Sequence, residues 1–294
     1  MLAIAQAGQQ FHYLSWTPTT TSPVLNGYGV KSYDNVDLSS YDFFKILFGE
    51  LIEKFKLNTP RIHLTMDMDS VHLSETQIPQ NTEFQFYQNW LMDINYDSEF
   101  LKRYETFYYP FSKKVSKSLN IHLPLPIKEA IIKSIKFHNA ELRILSLGIF
   151  SAESCLRSLY NADKINNYIV WRIGQYNQND ILWIKNNNLI NYIRFKNING
   201  VFNLQNFYGC SKSADKILSQ LEKCTQSDFS IFNISDKIFI YSSNNTNNQL
   251  NDLVNINPKQ FEKIEVLKKL NLNQEKQNPY IFPETGIAFR GFDV

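Results

Sequence analysis

The sequence predicts a duplicated α/β fold, two halves built on one plan with an irregular stretch inserted in the first. Two hairpins predict the duplication. Leu2 to Trp16 reads as an apolar strand, a turn carrying Gly8, and a second strand. Tyr168 to Gln175 repeats the form with Gly174 at the turn, and Asp180-Ile181-Leu182-Trp183-Ile184 answers it as the return strand. Strand and helix patterns alternate after each hairpin, which is the mark of an α/β chain. A glycine-turn hairpin opening each half suggests a nucleotide clamp, where the position two before each glycine would be Asp. Those positions hold Gln6 and Arg172, so the pattern keeps a fold while its usual chemistry is missing.

The elements follow in order. Val24 to Tyr33 predicts a third strand, with Asn26-Gly27 as a turn signal beside it. Phe44, Leu47, Phe48, Leu51, Ile52 and Phe55 recur at helical spacing, with Ser39 or Ser40 as the cap and Asn58-Thr59-Pro60 as the stop. Arg61–Met66 and Ser70–Leu73 alternate as strands around Asp67-Met68-Asp69. The insertion, about 75–126, holds a predicted helix with Phe84, Phe86, Tyr87, Trp90 and Leu91, then an aromatic strand from Tyr104 to Tyr109. A helix over Lys128–Phe137, a strand at Glu141–Leu147 and a helix capped by Ser151 close the first half near Tyr160. In the second half, 161–294, a strand at Leu189–Phe195 follows the hairpin, and a helix spans Ser213–Cys224. A buried strand at Lys237–Tyr241 runs into Ser242-Ser243, then a helix from Gln249, a strand at Glu262–Leu267 and the tail Glu284–Phe292.

At 294 residues the chain can bury a sizeable core in one large domain or two lobes. Its 43% hydrophobic and 20% charged residues are those of a folded protein rather than a disordered one. Thirty Lys+Arg against 28 Asp+Glu leave a net charge of +2, scattered along the chain, which excludes a basic nucleic-acid stripe. Cys155, Cys210 and Cys224 are odd in number and lack metal spacing, so reduced thiols in a cytosolic compartment are expected. The first residues lack the basic start of a signal peptide, and no run approaches the ~18 apolar residues of a membrane span. Any membrane role would come through a partner.

This order of elements resembles the actin-like ATPase superfamily, two lobes around a cleft. Within it the chain is most similar to the type IV pilus assembly protein PilM family, and next to the cytoplasmic domain of the type II secretion protein GspL. The likeness is carried by the first hairpin through Gly27-Tyr28-Gly29, the insertion with Trp90 and Tyr96-Asp97, and Trp171-Arg172-Ile173-Gly174. The closing Thr285-Gly286-Ile287-Ala288-Phe289-Arg290 is similar to the Gly-Leu-Ala-Leu-Arg ending of PilM-type chains. In that superfamily two Asp-x-Gly hairpins grip the phosphates, and a Gly-Gly pair after a late strand receives the adenosine. Glycine lets backbone N–H groups approach phosphate oxygens, and Asp positions a hydrated Mg²⁺ or a water. Carried over, the clamp falls on Gln6, Gly8, Gln9, Arg172, Gly174 and Gln175, and the adenosine slot on Ser242-Ser243.

Gln6 brings no charge, Arg172 cannot hold Mg²⁺, and two serine side chains stand where close backbone approach is needed. The losses disfavour ATP with Mg²⁺ as a cofactor and disfavour hydrolysis, and no catalytic residue or metal site is expected. The resemblance instead implies a non-catalytic bacterial scaffold, cytoplasmic and peripheral at the inner membrane, with a homodimer compatible. Its partner would be the cytoplasmic N-terminal tail of a bitopic protein of the PilN type, held between the insertion and the first lobe. Phe84, Tyr87, Trp90, Tyr96 and Tyr108 are the expected partner surface, because a small insertion cannot hide so many rings in its own core. An ATP-binding or ATP-hydrolysing member of the actin-like and sugar kinase superfamily is the alternative.

Other chemistry-bearing residues have plainer readings. Asp67 and Asp69 could pair on a cation from one strand face, but solvated acids in a turn are commoner. His12, His63, His72, His122 and His138 are dispersed and read as ordinary half-buried histidines, and Cys155 as a small core residue.

Overall fold

The computed structural model describes residues 1–18, 24–77, 98–111, 117–210, 214–225, 235–243, 248–256, 258–269 and 281–289. The chain divides into two compact units, Met1–Pro110 with Ser116–Gly148, and Phe111–Val115 with Ile149–Val294.

The first unit is built on β1 (Leu2–Ala7), β2 (Gln10–Thr17), β3 (Val24–Ser32), β4 (Arg61–Met66) and β8 (Glu141–Leu147), in the sheet order β3-β2-β1-β4-β8. The hairpin and β3 are antiparallel, and β1, β4 and β8 are parallel. β1 is buried along its whole length, as a central strand covered on both faces must be. The crossover to β4 is α1 (Tyr41–Lys54). It begins where expected: Ser40 caps it, its Oγ accepting from the Phe43 N–H at 3.3 Å. Phe44, Leu47, Phe48 and Leu51 form its buried stripe, each contributing roughly 1.5–3 kcal/mol by leaving water. α2 (Leu125–Phe137) packs beside it, with Pro126 in its first turn and the Ser134 hydroxyl donating to the Tyr41 carbonyl at 3.0 Å.

Between β4 and α2 lies the insertion, whose described part is a helical turn (Ser98–Leu101) and a three-stranded antiparallel sheet in the order β5-β7-β6: β5 (His72–Gln77), β6 (Tyr104–Pro110) and β7 (Lys117–Pro124). β7 carries Ser118, Asn120 and His122 at alternate positions, all buried. His122 is held by the hydroxyls of Ser74 and Thr106, each at 2.8 Å, and burial, helped by the His72 charge, brings its pKa down to about 4. It is therefore a neutral structural imidazole.

The second unit repeats the plan. α3 (Gly148–Tyr160) leads into β9 (Asn167–Ile173), β10 (Gln178–Lys185), β11 (Asn188–Ile198), β12 (Val201–Gly209), β13 (Lys237–Ser242) and β14 (Phe261–Lys263). The sheet order is β12-β11-β10-β9-β13-β14. With the edge strand β12 set aside, the order counted from the hairpin matches the first sheet strand for strand, as do the antiparallel and parallel pairings. α4 (Ala214–Thr225) and α5 (Asn248–Ile256) complete the unit, with Ile217, Leu218, Leu221, Leu250 and Leu253 packed on Ile169, Trp171 and Ile240 of the sheet.

Three local expectations are corrected. Asn26-Gly27 is not a turn but the interior of β3, opposite a bulge at Ser15/Trp16, and Gly27 is bare because a Cβ there would lie 2.9 Å from the Phe55 ring. Ser151 lies inside α3 rather than capping it, since the helix starts three residues earlier at Gly148. Glu262–Leu267 is not one strand: β14 ends at Lys263, and Val266–Lys269 is a helical turn. β7 and β12 were not predicted at all.

Candidate functional site: the two hairpin turns

In the first hairpin β1 and β2 pair without a bulge, so the tight turn at Gly8-Gln9 falls on the glycine, which takes φ 60°. The Gly8 N–H donates to Asp67 Oδ2 at 2.8 Å. Gln6 closes the ring around that contact. Its Oε1 accepts from the Asp67 N–H at 3.2 Å and the Ser70 hydroxyl at 3.0 Å, while its Nε2 donates to the Gly8 carbonyl at 3.1 Å. An Asp at position 6 could not donate to that carbonyl, and would set a second carboxylate near Asp67. Glutamine therefore fits because Asp67 is there. Asp67 is 5% exposed, which corrects its reading as a solvated turn residue, whereas Asp69 is exposed. Gln9 is exposed and reaches the Asp34 carbonyl at 3.2 Å.

In the second hairpin the turn is looser. Gly174 keeps an ordinary φ of −87°, and the left-handed positions are Tyr176 and Asn177 in the turn Gln175–Asn177. The Gly174 N–H donates to the Gln178 carbonyl at 2.7 Å, and a Cβ on Gly174 would sit 3.0 Å from that oxygen. Gln175 is half-buried.

Arg172 stands in a row of directly opposed residues across four strands: Arg194 on β11, Asp180 on β10, Arg172 on β9 and Tyr241 on β13. Its Nη1 lies 3.2 Å from Asp180 Oδ2 and its Nε 2.6 Å from Glu284 Oε1. Arg194 Nε donates to Asp180 Oδ1 at 2.8 Å and the Tyr192 hydroxyl to the same oxygen at 2.6 Å; the Tyr241 hydroxyl donates to Glu284 at 2.8 Å. Two arginines thus balance two carboxylates, and Arg172, Asp180 and Glu284 are all within 3% exposure. Burial, reinforced by the neighbouring carboxylates, pushes the Tyr192 and Tyr241 hydroxyls well above the usual phenol range, so both stay neutral donors. Ser242 ends β13 and Ser243 follows it; both are buried, the Ser243 N–H donating to the Ile173 carbonyl at 3.0 Å.

Within the first unit, then, Gln6 and Gly8 come together, and within the second Arg172 lies beside β13. Asp67, Asp180 and Glu284 were not expected to have these roles. Asp180 alone carried a local sequence signal, as the residue facing Arg172 in the same hairpin; Asp67 and Glu284 lie far from the clamp positions along the chain. Tyr108 is buried, which removes it from an exposed partner surface, while Phe107 and Tyr109 on the same strand are exposed. Phe84, Tyr87, Trp90 and Tyr96 lie outside the described residues. Among the described residues no group of three or more His, Cys, Asp or Glu is placed to hold a metal, and no helix is long and apolar enough to cross a membrane. Cys155 is fully buried, its thiol pushed up to about 12 by desolvation, and its sulfur would lie 2.3 Å from a Cβ on Gly286. The glycine of the closing motif is thus required by helix packing.

A solved "PilM-PilN type IV pilus biogenesis complex" is similar over 98% of this chain and 96% of its own, with a TM-score of 0.64 at 8% identity. The fold is actin-like. The cytoplasmic domain of EpsL, an inner-membrane component of the Vibrio cholerae type II secretion system, is similar over 92% of this chain and 91% of its own, with a TM-score of 0.49 at 10% identity. The ethanolamine utilization protein EutJ from Carboxydothermus hydrogenoformans covers 99% of this chain and 89% of its own, with a TM-score of 0.44 at 12% identity. No protein-family model and no curated protein sequence matches the chain.

Proposed function

We propose that the chain is a non-catalytic actin-like scaffold, cytoplasmic and peripheral at the inner membrane, in a type IV pilus or type II secretion assembly platform. One observation carries the non-catalytic part. The groups a nucleotide's phosphates would need are consumed internally: the Gly8 N–H by Asp67, the Gly174 N–H by Gln178, and Arg172 by Asp180 and Glu284. Phosphate binding at either turn would first have to break those contacts, which leaves buried polar groups unpaired. The likeness to a PilM–PilN complex supports a PilN-type partner, and the inserted subdomain, with exposed Phe107 and Tyr109 on β6, supports a partner surface there.

Calorimetry with Mg·ATP tests the first part: no heat is expected, and micromolar, Mg²⁺-dependent binding would return the chain to the ATP-using members of the fold. Crosslinking the tagged chain in native membranes tests the second. The expected catch is a bitopic membrane protein with a short cytoplasmic tail. Crosslinks to soluble enzymes alone would refute the platform reading.

A further inference from the structure

We infer that Asp67 is an intramolecular plug: its carboxylate takes the anion position at the first hairpin and thereby closes that turn to phosphorylated ligands. Three observations carry it. Gly8, at φ 60°, aims its N–H as a phosphate-gripping loop would, and the acceptor there is a carboxylate from a loop distant in sequence. The loop that carries it is anchored: one amide oxygen of Gln6 holds the Asp67 backbone N–H and the Ser70 hydroxyl. Beside it opens a pocket of about 360 Å³, lined among others by Gln6, Gly8, Asp67, Asp69, Ser70 and His72. The space would admit a phosphate, yet the described lining holds two carboxylates and neither lysine nor arginine. An entering phosphate would have to displace Asp67 and then remain beside two negative charges.

The plug has a structural consequence. Asp67 to Ser70 is the root from which β5 and the insertion grow, so the turn that would sense a phosphate is tied to the base of the inserted subdomain. Whatever the insertion holds, its base is set by Asp67 and not by a nucleotide.

The inference rests on reading Gly8 as a former phosphate-loop glycine, and it is independent of any partner. The test uses the full chain labelled with ¹⁵N and titrated with pyrophosphate, following the Gly8 amide resonance. In the wild type that resonance should stay still into the millimolar range. Asp67→Ser frees the N–H and should move the resonance, with at least tenfold tighter pyrophosphate binding. Asp69→Ser removes the same charge without touching Gly8 and should gain less than threefold. Equal gains in the two variants would reduce the effect to bulk charge and overturn the plug, as would a wild-type Gly8 amide that already responds. Should Asp67→Ser not fold, Asp67→Asn keeps the acceptor on the Gly8 N–H while removing the charge and should gain no more than Asp69→Ser; a tenfold gain there would assign the effect to charge and overturn the plug. A chain that captures no membrane partner but shows the Asp67 effect would refute the scaffold reading alone.

Discussion

At the first hairpin Gly8 turns through φ 60° and gives its N–H to a carboxylate carried by a loop; at the second, Gly174 stays at φ −87° and its N–H closes on a backbone carbonyl four residues on. Two positions upstream the contrast is as sharp. Gln6 is a neutral amide wired to three neighbours, while Arg172 is a buried cation set between two carboxylates. The sheets around them share strand order and direction. Topology is therefore common to both units, and each unit satisfies the side chain two positions before its glycine with whatever its surroundings supply. In the first unit the repair comes from a loop and is polar. In the second it comes from strand β10 and from the helical turn that carries Glu284, and is ionic.

The ionic repair should be the costlier one to break. Arg172→Met keeps most of the volume but removes the cation set between Asp180 and Glu284, leaving Arg194 as the one arginine of the row. Removing one partner of a buried ion pair costs about 3–5 kcal/mol, read as a fall in the urea midpoint at unchanged slope. Glu284→Gln added to Arg172→Met should recover part of that loss, because it removes one stranded charge. A single-variant loss below ~1 kcal/mol would mean that the row is solvated and only packs.

Much of this contrast was invisible in the sequence, for physical reasons. Hairpins and helices with one buried face announce themselves by periodicity, so β1, β2, β9, β10 and α1 were legible, down to the Ser40 cap. β12 was not, because most of its residues face water and it lacks an apolar rhythm. β7 carries an open strand rhythm, Leu119, Ile121 and Leu123 alternating with Ser118, Asn120 and His122, and is unusual only in that its polar set is buried too. Asn26-Gly27 misled because a turn-forming pair was placed in a strand by a ring from α1's end. The acids that complete the two sites were illegible for a further reason. Asp67 and Glu284 meet Gly8 and Arg172 only through tertiary contact, and nothing local distinguishes them from solvated carboxylates, whereas Asp180 faces Arg172 across the hairpin itself.

The polar repair should break more gently, and in a pH-dependent way. Gln6→Ala strands the Asp67 N–H and the Ser70 hydroxyl, for about 1–3 kcal/mol in a chemical denaturation. Gln6→Asp restores the carboxylate of a nucleotide clamp but sets it near Asp67, so its folded-state pKa is raised by like charge. A group raised on folding contributes least when ionised. The variant should lie closest to wild type near pH 4 and fall behind it as pH rises through the carboxylate range. It should also gain nothing from Mg·ATP. A Gln6→Asp variant stabilised by Mg·ATP would mean that one substitution reopens the clamp, and that Asp67 yields.

The glycines give the smallest effect and the most direct reading of the contrast. At Gly8 the left-handed backbone makes Gly8→Ala cost about 1 kcal/mol, and Gly8→Asn should recover much of it because asparagine tolerates that conformation. At Gly174 the backbone is one any residue adopts, and the 3.0 Å approach of a Cβ to the Gln178 oxygen is all that opposes a side chain. That strain is offset by the reduced freedom of the unfolded chain, so Gly174→Ala should stay within about 0.5 kcal/mol of wild type, with no advantage for Asn. Thermal unfolding of the four variants decides it. An Asn-over-Ala advantage confined to position 8 would establish that only the first hairpin uses its glycine for conformation. The same advantage at 174 would mean that the second turn closes in solution as tightly as the first.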